Sequence, residues 1–278
     1  MKQTKKTIAL IAVTVVCALL IGGIFLALTR RSNTPPQNTA TNPPTTETQQ
    51  TLPPPTENHL TPLDFAYDGD YLTCITAPSI LGIDVSTHQK EIDYAQVKQA
   101  GVEFVMIRLA WRGSMQGTME EDEWAQRNYT AATAAGLKVG GYFFSQAISP
   151  EEAVEEAELA LEVIKDWNVQ MPIVYDWEFL QEGYRTDVVD TRLLTDCTKA
   201  FCDRIEQAGY KAMVYFNPSQ SRKQMYLEEL TDYGFWLAMY SDEMTYEYKV
   251  DMWQYSCTGT VPGINGNVDL NLYFPEEN

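Results

Sequence analysis

From residue 80 onward, short apolar runs rich in β-branched residues alternate with longer segments whose apolar positions recur every three to four residues. The runs at 80–85, 104–109, 137–144, 171–176, 210–216, 235–240 and 250–256 predict buried strands, with a shorter one at 268–272. Helical periodicity falls around Tyr94, Val97 and Ala100, and over 120–135, 189–208 and 219–230. A further helix is marked at its start: Ser149 as N-cap, Pro150 at the first helical position and Glu152 completing a capping box, with Val154, Ala157, Leu161 and Ile164 on one face. Gly101, Gly136 and Gly209 close three of these helices. About eight strands and about five helices joined by short links predict an α/β fold with a parallel sheet under helical cover. The early half repeats β–α units and the late half is strand-rich, so an irregular TIM-type β/α barrel fits better than an open, doubly wound sheet. No glycine-rich phosphate loop follows the first strand, which disfavours nucleotide binding.

Ahead of residue 80 the pattern breaks down in two stages. Lys2, Lys5 and Lys6 precede an uncharged run from Thr7 to Thr29, which Arg30 and Arg31 close. That run is long enough to span a bilayer, since about 20 apolar residues suffice. Its length and its basic closing pair favour an uncleaved signal anchor over a cleaved signal peptide. The lysines weakly place the N-terminus in the cytoplasm and the rest outside the cell. Residues 1–31 are therefore expected to form a cytoplasmic stub and transmembrane helix. Residues 32–62, dominated by Thr, Pro, Asn and Gln, are expected to be a disordered tether, and 63–278 the barrel, with 63–79 as a lead-in packed upon it.

Charge and cysteines narrow the choice. All 38 acidic residues lie after Arg31, against 15 of the 20 basic ones, which argues against nucleic acid as a partner. Two histidines, His59 and His88, are too few for a metal-dependent hydrolase of the usual kind, so neither metal nor cofactor is expected. A Cys–His peptidase would need a reactive cysteine at a strand end, and none stands there. Cys197 and Cys202 sit five apart in an expected helix, where they cannot easily bridge. Closing a barrel brings its first and last strands together, leaving two alternatives for Cys74 and Cys257: a disulfide, which the export context permits, or two unpaired, partly buried thiols.

The candidate chemistry lies in 171–178. An apolar strand there ends in Asp176-Trp177-Glu178. Side chains two apart on a strand share a face, so the two carboxyls lie near one another, cannot titrate independently, and the more buried one should keep its proton at neutral pH. A proton donor beside an anion is the equipment for cleaving a glycosidic bond. In a barrel of this kind the C-terminal strand ends carry the site. Those ends read Asp84, Arg108, Tyr142, Asp176 with Glu178, Tyr215 with Asn217, Tyr240 and Gln254, with Asp269 near the C-terminus. Trp111, Trp177, Trp236 and Trp253 fall on or near the same rim. Acids ringed by flat aromatic faces suit a carbohydrate.

Gly82-Ile83-Asp84-Val85-Ser86, His88-Gln89 and Ile92-Asp93 resemble the opening motif of the family 25 glycoside hydrolases, the Chalaropsis-type lysozymes. The resemblance continues in order through Gly140-Gly141-Tyr142-Phe143, Asp176-Trp177-Glu178, Trp236-Leu237-Ala238, Trp253-Gln254-Tyr255-Ser256 and Val268-Asp269-Leu270-Asn271, covering about 80–274. It implies a distorted β/α barrel acting on peptidoglycan, cutting the β-1,4 bond between N-acetylmuramic acid and N-acetylglucosamine; a monomer is expected. It implies Glu178 as general acid, Asp176 as its carboxylate partner, and Asp84 and Asp269 as the other two active-site acids. Tyr142, Tyr240 and Gln254 would contact sugar, with Arg108 and Trp253 on the same rim. Apart from the resemblance, His88 reads either as a proton shuttle or, as its place near Asp84 favours, as a residue that stabilises the loop. Whether Asp176 attacks the anomeric carbon or assists the substrate's own acetamido group stays open, the acetamido-bearing sugar favouring assistance. Two other readings remain at this stage. A chitinase-like barrel would want acids at 171 and 174, where Met171 and Val174 stand; a wall-binding barrel without activity would not need the four acids.

Overall fold

A computed structural model describes residues 52–275. The apolar run at 7–29 and most of the Pro/Thr-rich tract lie outside those residues. Among the described residues no helix is long and apolar enough to cross a membrane.

The described chain opens with a hairpin, β1 (Phe65–Asp68) and β2 (Tyr71–Cys74), paired antiparallel. Then follow β3 (Ile80–Val85), α1 (Tyr94–Gln99), β4 (Phe104–Arg112), β5 (Met119–Glu121), α2 (Ala125–Ala134), β6 (Lys138–Ser145) and α3 (Pro150–Ile164). The second half runs β7 (Ile173–Trp177), α4 (Thr191–Gln207), β8 (Ala212–Phe216), α5 (Pro218–Lys223), β9 (Gly234–Ala238), β10 (Met252–Gly259) and β11 (Val268–Tyr273). Strands β3, β4, β6, β7, β8, β9, β10 and β11 pair in that order, and β11 pairs back with β3, so an eight-stranded barrel closes. Neighbours are parallel from β3 to β10, whereas β11 runs antiparallel to both β10 and β3. The reversed strand brings its beginning, rather than its end, to the C-terminal mouth. That is how Asp269, the second residue of β11, lies directly across from Asp84 near the end of β3.

Period-two alternation sorts the core into two layers. Phe104 and Met106 of β4, Val174 of β7, Met213 of β8, Trp236 of β9 and Met252 of β10 fill the barrel's interior. Their neighbours Val105, Ile107, Ile173, Tyr175, Val214, Phe235 and Trp253 face outward, under the helices and the hairpin. The inner layer is tight where Phe104 crosses: a Cβ on Gly82 would sit 2.2 Å from its ring. Ser149 caps α3 as expected, its Oγ accepting the Glu152 N–H at 3.2 Å, but the Glu152 carboxylate takes the Ile148 N–H rather than that of Ser149.

Three boundaries differ from the sequence pattern. The helix expected from 120 starts at Ala125, because 119–121 pair with the end of β4 and Asp122 takes the Trp124 N–H at 2.9 Å. The segment expected as one helix at 219–230 is α5 followed by a separate 3₁₀ turn at Leu227–Glu229; the Tyr226 N–H between them goes to Thr195 Oγ1. The packed unit also begins before residue 63. Glu57 bridges Tyr248, Lys249 donates to the Thr56 carbonyl at 2.8 Å, and Asn58 Nδ2 reaches the Tyr246 carbonyl at 3.0 Å. Of the two alternatives for Cys74 and Cys257 the structure has unpaired thiols, Cys74 buried and Cys257 exposed. Cys197 and Cys202 are buried and also free.

Candidate active site

The C-terminal mouth holds a cleft of about 190 Å³ lined by Asp84, Asp176, Glu178 and Asp269 together with Arg108, Tyr142, Tyr215, Trp236, Tyr240 and Gln254. A larger hollow of about 370 Å³ opens at the strand starts, near Pro172, Met213 and Gly234. Its acids are Glu206 and Asp232, both exposed, and Asp251, which accepts the Phe235 N–H at 2.9 Å; they do not converge as the four acids of the C-terminal cleft do, so chemistry rather than size selects that cleft.

Strand parity places each acid. Val174 and Asp176 face inward along β7, and Glu178 extends the same parity one residue past the strand's end. Asp84 is buried, and its Oδ2 accepts from Gln254 Nε2 and from Asn271 Nδ2, both at 2.8 Å. Burial pushes the Asp84 carboxyl upward, while hydrogen bonds from Asn271, Gln254 and Asp269 pull it back. Asp269 is pushed up to about 8 by its own burial, by the Asp84 charge and by its hydrogen bond to Asp84. Asp269 thus carries the proton of this pair and donates it to an Asp84 anion held by two amides.

Asp176 and Glu178 form the second pair. Burial and then the Glu178 and Asp84 charges hold Asp176 well above the ordinary carboxylate range, with Arg108 opposing. Among the described residues no donor reaches Asp176 Oδ1, which adds to the cost of a charge there. Burial and then the Asp84 charge raise Glu178. These protons belong to the pair rather than to one residue. The two are not equivalent in access, since Asp176 is buried and Glu178 only partly so.

The surrounding polar groups form a relay. Gln254 Oε1 accepts from Tyr215 at 2.9 Å and from Tyr240 at 3.2 Å, fixing which end of its amide faces Asp84. Tyr240 itself is 57% exposed at the rim. Arg108 is locked by Asp122, whose Oδ2 takes both the Arg108 Nε and the Thr87 N–H. His88 lies at the edge of the cleft, exposed, its N–H on Ser86 Oγ at 3.2 Å.

The cleft therefore unites eight of the nine residues singled out from the sequence. Trp253 is not among them. It is fully buried, its Nε1 donates to the Met239 carbonyl at 2.8 Å, and it packs edge-on against Phe65. Because Gln254 faces inward, its neighbour must face outward. Trp177, between two inward acids, is turned outward for the same reason. Of the expected tryptophans only Trp236 lines the cleft, from beneath, with its Nε1 on Asn271 Oδ1 at 2.9 Å. Asn271 and Asp122 belong to the site and carried no role in the sequence, where Tyr215 stood only as a strand-end residue. Asn271 is two residues from Asp269 on one strand, so parity alone puts both on one face.

One expected result follows from the Asp84–Asp269 pair. Asp269 is protonated in the fold at pH values where the unfolded chain has lost that proton. The contribution of Asp269 to native stability therefore falls as pH rises from about 4 towards about 8 and is flat above. Asp269→Asn keeps a donor for Asp84 and cannot ionise. It should raise stability at pH 7–8 by roughly 1–2 kcal/mol, allowing for the partial exposure of the group, with no gain near pH 4. Urea unfolding at the two pH values measures this, and a variant less stable than wild type at pH 7 would contradict it.

Comparison with known proteins bears on the family and the fold. The model for glycosyl hydrolases family 25 matches residues 83–264. The autolytic lysozyme of Clostridium acetobutylicum is 27% identical over 193 residues, covering 69% of this chain and 55% of that protein. The modular autolysin LytC of Streptococcus pneumoniae matches at TM-score 0.62 and 27% identity, over 70% of this chain and 47% of its own. LytC has also been solved with a synthetic peptidoglycan ligand. The bacterial lysozyme of Streptomyces coelicolor matches at TM-score 0.55 and 25% identity, over 70% of this chain and 91% of its own. This chain thus spans about half the length of the two autolysins.

Proposed function

The chain belongs to glycosyl hydrolase family 25, and on that premise we propose that it hydrolyses the β-1,4 bond between N-acetylmuramic acid and N-acetylglucosamine in peptidoglycan, with Glu178 as general acid and Asp176 as its carboxylate partner. The observation that carries the reading is the convergence of four acids on one cleft, with a partly exposed Glu178 above a buried Asp176. Relatives named autolytic lysozyme, autolysin and lysozyme support the substrate class.

In this reading Glu178 gives its proton to the glycosidic oxygen as the bond to the anomeric carbon breaks, so the leaving sugar departs neutral. Asp84 does not donate; its anion, fixed by Gln254 and Asn271, raises Glu178 and keeps that proton in place until the sugar arrives. Asp176 is too deep to reach the glycosidic oxygen with its own proton. Its Oδ1, which no donor of the described residues reaches, accepts the N–H of the acetamido group whose carbonyl oxygen closes on the anomeric carbon. Glu178, now ionised, then takes a proton from the water that opens this intermediate. Tyr142, Tyr240 and Arg108 line the path of the sugar rings. The uncharged run at 7–29 would hold the domain at the outer face of the membrane, within reach of the wall.

Mass analysis of digested glycan strands tests the bond assignment. The new reducing ends should be N-acetylmuramic acid. Reducing N-acetylglucosamine would make the enzyme a glucosaminidase, and wall binding without new reducing ends would leave a binding barrel.

A further inference from the structure

Glu178 stands where the sheet has stopped holding the chain. The last register pairs on either side of β7 are Ser145 with Trp177 and Asp176 with Tyr215. Glu178 lies beyond both pairs. Two glutamines from different elements reach the main chain there. Gln146, immediately after β6 and 0% exposed, donates Nε2 to the Glu178 carbonyl at 2.8 Å and shares it with the Ser145 carbonyl at 2.8 Å. Gln220, on α5 and 4% exposed, donates Nε2 to the Trp177 carbonyl at 2.7 Å. Consecutive main-chain carbonyls are thus gripped from opposite sides, one from the β6 side and one from the β8 side.

The grip is itself anchored. Arg185, in the loop after β7, donates Nη1 to the Gln146 carbonyl at 3.2 Å and pairs through Nη2 with Glu152 of α3 at 2.5 Å. Asn217 caps α5 through the Gln220 N–H at 3.0 Å, which sets the start of the helix that carries Gln220. Neither glutamine lines the cleft. Burying two amide side chains is unfavourable unless their hydrogen bonds serve the fold or the site, and both spend a donor on the two residues that end β7.

We infer that Gln146 and Gln220 are positioning residues that together fix the backbone of Trp177–Glu178 and so aim the Glu178 carboxyl. The inference rests on the reading of Glu178 as general acid. Misplacing a catalytic group by about 1 Å can cost on the order of 100-fold in rate, while binding of the sugar rings by other residues is untouched.

The test uses the full chain with soluble peptidoglycan glycan oligomers as substrate. Gln146→Leu and Gln220→Leu should each lower kcat by roughly 10–100-fold and leave KM within about twofold. Gln146→Glu supplies a signature that a structural role would not give. Its carboxyl donates to the Glu178 carbonyl only when protonated, so its kcat relative to wild type should rise as pH falls and drop as pH rises. Wild-type kcat in both leucine variants, with Glu178→Gln inactive, overturns the positioning role and leaves the general acid standing. Full activity in Glu178→Gln instead removes the reading on which the positioning role rests. Should the leucine variants fail to fold, Gln146→Glu decides the matter: a ratio to wild type that does not change with pH overturns the inference.

Discussion

Replacing Glu178 with glutamine should lower glycan hydrolysis by on the order of 10²–10⁴-fold, with the loss in kcat and little change in KM. Glutamine has nearly the volume of glutamate and keeps a hydrogen-bonding head, so the cleft's shape survives. It has no acidic proton, and the leaving oxygen must depart as an alkoxide or wait for water. The other groups in the cleft cannot take over. Asp176 is buried, Asp269 is committed to Asp84, and Asp84 is held as an acceptor by Gln254 and Asn271. Arg108 is locked on Asp122. Stability should not fall with activity. Glu178 is raised by burial and by the Asp84 charge, so the fold bears a cost at neutral pH that the amide removes. Initial rates of reducing-end release, measured beside the midpoint of thermal unfolding, give both numbers. A variant within tenfold of wild type would remove Glu178 from the role. A variant both inactive and several degrees less stable would mean that a structural part had been mistaken for a chemical one.

The barrel and three of its four acids were legible in the sequence for the same reason. Buried parallel strands carry near-continuous apolar runs, and the polar residue that ends each run stands at one mouth of the barrel. Asp84, Arg108, Tyr142, Asp176 and Gln254 needed nothing more. Asp269 also reaches this mouth, yet by a route the pattern does not contain: β11 is reversed, and only its pairing with β3 brings its start there. The aromatic residues were harder. Tryptophan is equally at home against a sugar or under a helix, and composition at a rim does not distinguish them. Parity does: Trp177 and Trp253 each adjoin an inward residue and are turned out into the core. Least legible were groups acting through long-range hydrogen bonds. Asp122 meets Arg108 only because the short β5 hairpin folds back on β4, and that strand was read as the start of a helix. Residues 56–61 fall within the stretch expected as tether, whose Pro and Thr content offers little apolar surface. They are held by main-chain pairing with 246–249, to which composition is blind.

A second large effect is expected outside the cleft, where Arg112 and Glu156 form a buried ion pair between the end of β4 and α3. Arg112 Nε meets Glu156 Oε1 at 2.7 Å, with side-chain exposures of 5% and 0%. Its other nitrogens reach the Gly117 and Glu152 carbonyls at 2.8 and 3.0 Å and Glu155 Oε2 at 3.2 Å. Arg112→Met matches the stem's volume and leaves Glu156 buried without its cation, a kind of change that costs about 3–5 kcal/mol. For a domain of this size that is a fall in Tm of roughly 10 °C. The loss should depend on pH. Burial already pushes Glu156 up to about 7 against the opposing pull of Ser145 and Arg112. With its folded value above the unfolded one, Glu156 makes stability decline from about pH 4.5 to about 7 and no further. Without Arg112 the carboxyl rises again and the decline continues past pH 7. At pH 5 the variant's Glu156 is neutral and the deficit is smaller; at pH 8 it is largest. Glu156→Gln keeps an acceptor for Arg112 Nε and should lose less than Arg112→Met at pH 8. Urea titrations at both pH values decide it: a deficit below about 1 kcal/mol, or one equal at pH 5 and pH 8, would mean that the pair does not hold β4 against α3 in the way its burial requires.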